Sequence, residues 1–338
     1  MNIAVIGAGA IGSSVAAYLT KAGQEVVLVG KADQVDVINA KGLSIKGVRG
    51  TDHIKVKAMT KLDKSYDLVI FATKTQDIEE AFAVNSDFLD TGLVMTSQNG
   101  VQADNLLSCH FDRERQLSSI VMFGATYVRP GEITFNFEGD WIIGRPFTTL
   151  DPTAHKVAEV LGKAFKTATS TDITGMKYLK LFVNFNNCIP ALIGKSMQET
   201  FADMDLCRLS ILLLKEGVHI VAQADIELVS LPDFPKERIL GLANMPLDQA
   251  AGIMNKTLTN LSKEPLYGSI LQSIMRGKTS EIDFINGEVV QLAAHFKLPC
   301  ALNDKMVEMV HEVERSGKYF SIEQVKKMFD VIPAKAGI

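Results

Sequence analysis

The first dozen residues constrain this chain more than any others. Met1 to Ile6 (MNIAVI) is an apolar run of strand-forming character that breaks into Gly7-Ala8-Gly9-Ala10-Ile11-Gly12 and continues as an amphipathic helical stretch. A strand that enters a helix through three such glycines is the turn of a dinucleotide-binding βαβ unit. Gly7 permits a tight strand exit, Gly9 lets the backbone approach a pyrophosphate, and Gly12 lets the helix pack closely on the strand. The helix N-terminal N–H groups then face the anion. All six residues, Gly7, Ala8, Gly9, Ala10, Ile11 and Gly12, are therefore cofactor-binding candidates.

The remaining chain fits this beginning. Its 338 residues exceed one small domain and suit two, each large enough to bury a core. With 47% hydrophobic and 22% charged residues, the composition is that of an ordinary globular protein. A net charge of −4 argues against a nucleic acid or an anionic membrane as the main partner, and so favours a small molecule. Cys109, Cys188, Cys207 and Cys300 are too scattered for a zinc site or a redox dithiol, and the six histidines show no ligand spacing, so no metal is expected. The N-terminus enters a strand directly, with no leader or long apolar segment, which makes a cytoplasmic protein the expectation.

Residues 25–29, 67–72 and 92–96 read as further buried parallel strands, with helices near 32–40, 77–88 and 101–108 between them. The class is α/β, a Rossmann-type doubly wound sheet. From Ser118 to Gly144 turns punctuate short strands, which reads as antiparallel additions to the sheet's edge, and a helix near 152–166 closes the domain. Beyond about Thr171 the pattern becomes helical, at 175–189, 201–224, 247–262, 266–277, 280–295 and 303–315, with a proline-bounded loop at 231–235. The expected organisation is a dinucleotide-binding domain at 1–168, an all-helical C-terminal domain at 169–332 and a loose tail at 333–338.

The second strand ends Val29-Gly30-Lys31, with a cation where a carboxylate would hold a free ribose 2′-hydroxyl. That favours NADP(H) over NAD(H). A second cation, Lys74, follows the next strand at the edge where ligands bind in such sheets, and is a further cofactor candidate. In the helical half, Lys180, Asn184 and Asn187 fall on one line of an otherwise apolar helix. Such a polar seam needs polar partners or a wet cleft, and its expected place is the junction of the domains. A partly desolvated lysine there has its pKa moved toward neutrality and can protonate a carbonyl oxygen as hydride reaches the carbon. Glu281 opens a predicted helix and reads, from local sequence alone, as a favourable N-terminal charge.

Together these motifs resemble the ketopantoate reductases (2-dehydropantoate 2-reductases), and the resemblance covers nearly the whole chain. It rests on Gly7-x-Gly9-x-x-Gly12, Lys74, Gln98-Asn99-Gly100, Lys180-Leu-x-x-Asn184, and Ser269 twelve residues before Glu281-Ile-Asp-Phe-Ile-Asn-Gly287. It implies a Rossmann domain followed by a helical domain and NADPH-dependent reduction of a 2-keto acid. Lys180 would be the general acid and Glu281 would hold the lysine's environment and the substrate. Asn99 would orient both near the nicotinamide, and Asn184 and Ser269 would bind substrate.

Three positions depart from the family pattern. Cys188 stands where an asparagine is usual, with Asn187 one position early, Leu266 replaces a second asparagine, and Lys31 replaces an arginine. The cofactor class survives these changes, whereas the substrate is less secure, because a lost polar contact favours an acid lacking the partner group. The expected reaction is 2-dehydropantoate to pantoate, on the route to pantothenate. The alternatives are a reductase or opine-type dehydrogenase for another 2-keto acid, and a non-catalytic dinucleotide sensor. A homodimer is compatible with the helical domain.

Overall fold

The computed structural model describes residues 1–262 and 264–330, and the expected tail at 333–338 lies outside the described residues. Two compact units make up the chain, Met1–Thr174 and a second that begins at Gly175.

The first unit runs β1 (Asn2–Ile6), α1 (Ala10–Lys21), β2 (Glu25–Val29), α2 (Ala32–Lys41), β3 (Leu43–Gly47), β4 (Gly50–Ile54), β5 (Lys57–Met59) and β6 (Leu68–Phe71). It continues through α3 (Ile78–Asn85), β7 (Leu93–Thr96), α4 (Gln102–Ser108), β8 (Gln116–Val121), β9 (Gly124–Arg129), β10 (Glu132–Phe137), β11 (Trp141–Gly144), α5 (Pro152–Gly162) and β12 (Thr167–Ser170). Eight strands form the main sheet in the order β12-β11-β8-β7-β6-β1-β2-β5. All pairs from β5 to β8 are parallel. Side chains alternate between two cores, as a sheet covered on both faces requires. Ile3 and Val5 pack with Val15 of α1 and Val157 of α5, whereas Ala4 and Ile6 pack with Ile78 of α3 and Leu107 of α4. The predicted α/β class is the one observed.

The 118–144 segment corrects one expectation. Only β11 joins the main sheet antiparallel, against β8. β9 and β10 instead form a separate four-stranded sheet with β3 and β4, in the order β4-β3-β10-β9. Alternation identifies strands but not their partners, and β10 pairs in parallel with β3, a strand distant in sequence. This second sheet packs on α1, whose residues Gly12 to Leu19 are all buried. Arg49 fastens it: the guanidinium lies 4.5 Å from the Tyr18 ring centroid and 4.7 Å from that of Phe135, and pairs with Glu138 at 2.6 Å.

Beyond β12 the described residues are helical. The elements are α6 (Ile173–Asn184), a 3₁₀ turn (Phe185–Asn187), α7 (Cys188–Ile193), α8 (Met197–Phe201), α9 (Met204–Gln223), α10 (Glu237–Asn244) and α11 (Leu247–Thr259). They are followed by α12 (Ser269–Met275), a 3₁₀ turn (Ile282–Phe284), α13 (Asn286–Phe296), α14 (Ala301–Ser316) and α15 (Ile322–Met328). The long α9 is central, with α8, α10, α11, α13 and α14 packed against it. Asp203 caps its N-terminus through the Asp205 and Leu206 N–H groups. At Gly217 of α9 a Cβ would lie 2.8 Å from Phe182 Cε1, so this glycine admits the Phe182 and Phe185 rings. Those rings meet edge to face at 5.2 Å and set the rotation of α6 about its axis.

Candidate active site

In the first unit, the cofactor candidates gather at the carboxyl ends of four neighbouring strands, β2, β1, β6 and β7. Gly7 leaves β1 at φ +117°, and a Cβ there would lie 2.7 Å from the Ala72 carbonyl carbon and the Thr73 nitrogen. A Cβ on Gly12 would lie 1.9 Å from the Gly7 oxygen. Both positions therefore require glycine for reasons of space. Gly9 differs: its Cβ position has nothing within 4 Å. It is the N-cap of α1, makes no side-chain cap, and is followed by no acidic residue in the first turn. Open space beside an uncapped helix N-terminus fits a pyrophosphate.

Other groups at this edge agree. The hydroxyls of Thr73 and Thr75, just beyond β6, are buried with no hydrogen-bond partner among the described residues. Lys74 between them is half-buried, and Lys31 is exposed at the N-terminus of α2. The segment after β7 is tied down by Gln98, whose amide donates to Phe71 O at 3.0 Å and to Thr73 O at 3.1 Å. Ser97 adds a hydroxyl bond of 2.8 Å to the same Phe71 oxygen. Asn99 follows these anchors, half-buried, before Gly100 turns at φ +76°.

In the second unit, α6 presents two kinds of surface. Leu179, Leu181 and Phe182 are buried, whereas Lys180, Asn184 and, at the end of the 3₁₀ turn, Asn187 are half-buried. The polar seam read from the sequence is thus present, although its last member lies past the end of the α-helix. Burial and the positive charge of Lys177 push the Lys180 amine down to about 8, and the Glu281 carboxylate opposes them. Lys180, Lys177 and Glu281 therefore share one electrostatic environment. Near neutral pH such an amine is still mostly protonated while being a far stronger acid than an ordinary lysine, which suits proton donation to an alkoxide.

Glu281 is not the first-turn charge of an α-helix. It precedes the three-residue 3₁₀ turn, and α13 begins only at Asn286, after Ile285 adopts φ −118°, ψ −88°. Ser269 is exposed and opens α12. Asn187 lies beside it: a Cβ on Gly268 would be 2.3 Å from Asn187 Oδ1.

From the sequence Asn187 stands out only as part of the seam, and Lys177, which is 3% exposed, does not stand out. The available signal was its place one helical turn before Lys180. Cys188, the departure from the family pattern, is fully buried, donates to Phe185 O, and has its thiol pushed up to about 12 by burial. It is a core residue and not a substitute for an asparagine in the site. No group of three or more metal-binding side chains is arranged to hold an ion among the described residues, and no described helix is long and apolar enough to cross a membrane.

Comparison with known proteins covers both units of the chain. The family profile described as ketopantoate reductase PanE/ApbA matches residues 3–146, and its C-terminal counterpart matches residues 172–314. A 2-dehydropantoate 2-reductase from Pyrococcus abyssi is 30% identical over 306 residues, covering 90% of this chain and 94% of the relative. Its counterpart from Pyrococcus horikoshii is 29% identical, with 94% and 99% covered. Among solved structures, a PanE/ApbA family ketopantoate reductase from Ralstonia eutropha superposes with a TM-score of 0.78 at 22% identity, covering 93% and 99%. A D-mandelate dehydrogenase solved with NADH and anilino(oxo)acetate gives 0.80 at 21% identity, covering 94% and 99%. Both halves of the chain match in order and nearly in full, and the chain therefore belongs to the ketopantoate reductase family of dinucleotide-binding oxidoreductases.

Proposed function

We propose that this protein reduces 2-dehydropantoate to pantoate with NADPH. The observation that carries the reading is Lys180: a half-buried amine on a polar seam, brought to about 8 by burial and Lys177, with Glu281 acting on it. NADPH supplies the hydride to the carbonyl carbon when bound. Gly7 to Gly12 would hold its pyrophosphate, and Lys31 would offer charge to the 2′-phosphate without the bidentate fork of an arginine. Lys74 and Asn99 would complete its contacts at the same sheet edge.

Lys180 donates a proton to the carbonyl oxygen as the C–H bond forms, which yields the 2-hydroxy acid and a neutral amine that water reprotonates. Glu281 favours the charged amine and so keeps the donor loaded. Asn184 and Ser269 would bind the substrate's hydroxyl and carboxylate, with Asn187 adjoining Ser269. Supporting this substrate are the Pyrococcus relatives, which are 2-dehydropantoate 2-reductases. A second reading, a bulkier or less polar 2-keto acid, is favoured by Leu266, which is 37% exposed at the position where the resemblance implies an asparagine.

The test is NADPH oxidation by the purified protein over a panel of 2-keto acids, with Lys180→Ala as control. 2-Dehydropantoate should give the highest kcat/KM, and the variant should lose about 10²- to 10⁴-fold in turnover while its NADPH affinity changes little. Turnover of another acid but not of 2-dehydropantoate would reject the substrate. Undiminished activity in the variant would remove Lys180 from its role.

A further inference from the structure

The turn that carries Glu281 is fastened to α14 at two points. Before Glu281, Ser280 is 1% exposed and donates its backbone N–H to Glu314 Oε1 at 2.7 Å. Its own hydroxyl accepts the Ile282 N–H at 3.2 Å. After Glu281, Asp283 Oδ1 lies 2.8 Å from His311 Nε2. The other ring nitrogen of His311, Nδ1, lies 2.9 Å from Glu314 Oε2. One imidazole thus faces a carboxylate oxygen with each nitrogen. A neutral ring has a single N–H, so only the imidazolium donates to both, and deprotonation sets a lone pair against one carboxylate.

We propose that His311 is a positioning residue: as an imidazolium it bridges Asp283 to Glu314, fixes the 280–283 turn and so holds Glu281 in place for Lys180, and its deprotonation loosens that turn. The proposal rests on the roles given above to Glu281 and Lys180. Burial works against the charged ring, but the hydrogen bonds it donates to Glu314 and Asp283, and their charges, outweigh it and raise its pKa. Other charged groups around α14 are engaged elsewhere or lie on an open face. Glu216 of α9 accepts the Leu302 and Asn303 N–H groups at the far end of the helix, and Glu288 of α13 acts on Tyr178. Lys305, Glu308, Glu312 and Arg315 line the open groove that His311 borders.

The experiment compares the full-length protein with His311→Gln and His311→Arg in two measurements across pH. One is amide hydrogen exchange of residues 280–284, corrected for its intrinsic pH dependence, and the other is NADPH-dependent turnover. In the unaltered protein, protection should fall as pH rises through the histidine's titration. His311→Gln should lose protection already at about pH 6, with kcat down about tenfold and the KM for NADPH within about twofold. His311→Arg keeps two donors and does not titrate, so it should retain protection at all pH values and lose the histidine limb of the rate profile. Equal protection in His311→Gln and the unaltered protein, or no recovery of protection in His311→Arg, would overturn the proposal. If His311→Gln does not fold, persistence of the pH dependence in His311→Arg overturns it equally. Exchange in Lys180→Ala should match the unaltered protein. If that variant stays active, the catalytic reading fails while the exchange result still reports on the bridge.

Discussion

Lys177 and Glu281 should move the titration of Lys180 in opposite directions. Lys177 lies one turn before Lys180 on α6, a spacing that puts side-chain bases about 5–6 Å apart. At a charge separation of about 6 Å and an effective dielectric between about 20 and 80, one unit charge contributes roughly 0.7–2.8 kcal/mol, or about 0.5–2 pH units. The active form is the protonated amine, so activity is present below the Lys180 pKa and lost as pH rises through it, with the limb near 8. Lys177→Met removes a like charge and should displace the alkaline limb of kcat/KM upward by that amount. Glu281→Gln removes the opposing charge and should displace it downward, in addition to lowering the rate.

The assay is the initial rate of NADPH oxidation from about pH 6 to pH 10 at constant ionic strength, since screening weakens these interactions. Thermal melts of both variants separate a shifted limb from partial unfolding. If the limb stays put in both folded variants, or moves the same way in both, the amine that titrates is not the one between these two charges.

Two further outcomes test the cofactor side. Gly12→Ala would place a methyl 1.9 Å from the Gly7 carbonyl oxygen and force the turn open. NADPH binding, followed by fluorescence titration, should weaken by at least about tenfold, roughly 1.4 kcal/mol, and an unchanged Kd would contradict the assigned turn. Lys31→Ala should raise the KM for NADPH about three- to tenfold and leave that for NADH nearly as it was, as expected for one exposed charge-assisted contact. An unaltered NADPH to NADH preference in that variant would remove Lys31 from the 2′-phosphate.

Much of the site was legible because its chemistry is written in local spacing. The glycine turn is contiguous, and the two close contacts at Gly7 and Gly12 are the ones the motif implies. The polar seam of α6 follows from helical periodicity alone, and the half-burial of Lys180, Asn184 and Asn187 matches it. The helices α8, α10 and α15 are not legible in the sequence because each is only a turn or two long and offers little periodicity. Strands β3, β4, β5 and β12 are short and partly polar; β3, β5 and β12 gain their stability from pairing with distant strands, and β4 pairs only with β3, the strand just before it.

The sequence by itself therefore determined the fold class, the dinucleotide turn and the line of polar groups around Lys180, since each is set by residues within a few positions of one another. Tertiary structure alone decided three things: that β9 and β10 leave the main sheet to cover α1, that the distant Glu281 opposes Lys177 in its effect on Lys180, and that His311 ties the Glu281 turn to α14. Strand partners and electrostatic neighbours depend on which distant segments meet. Burial then fixes how strongly one charge feels another, and neither quantity is encoded in the spacing of any single stretch.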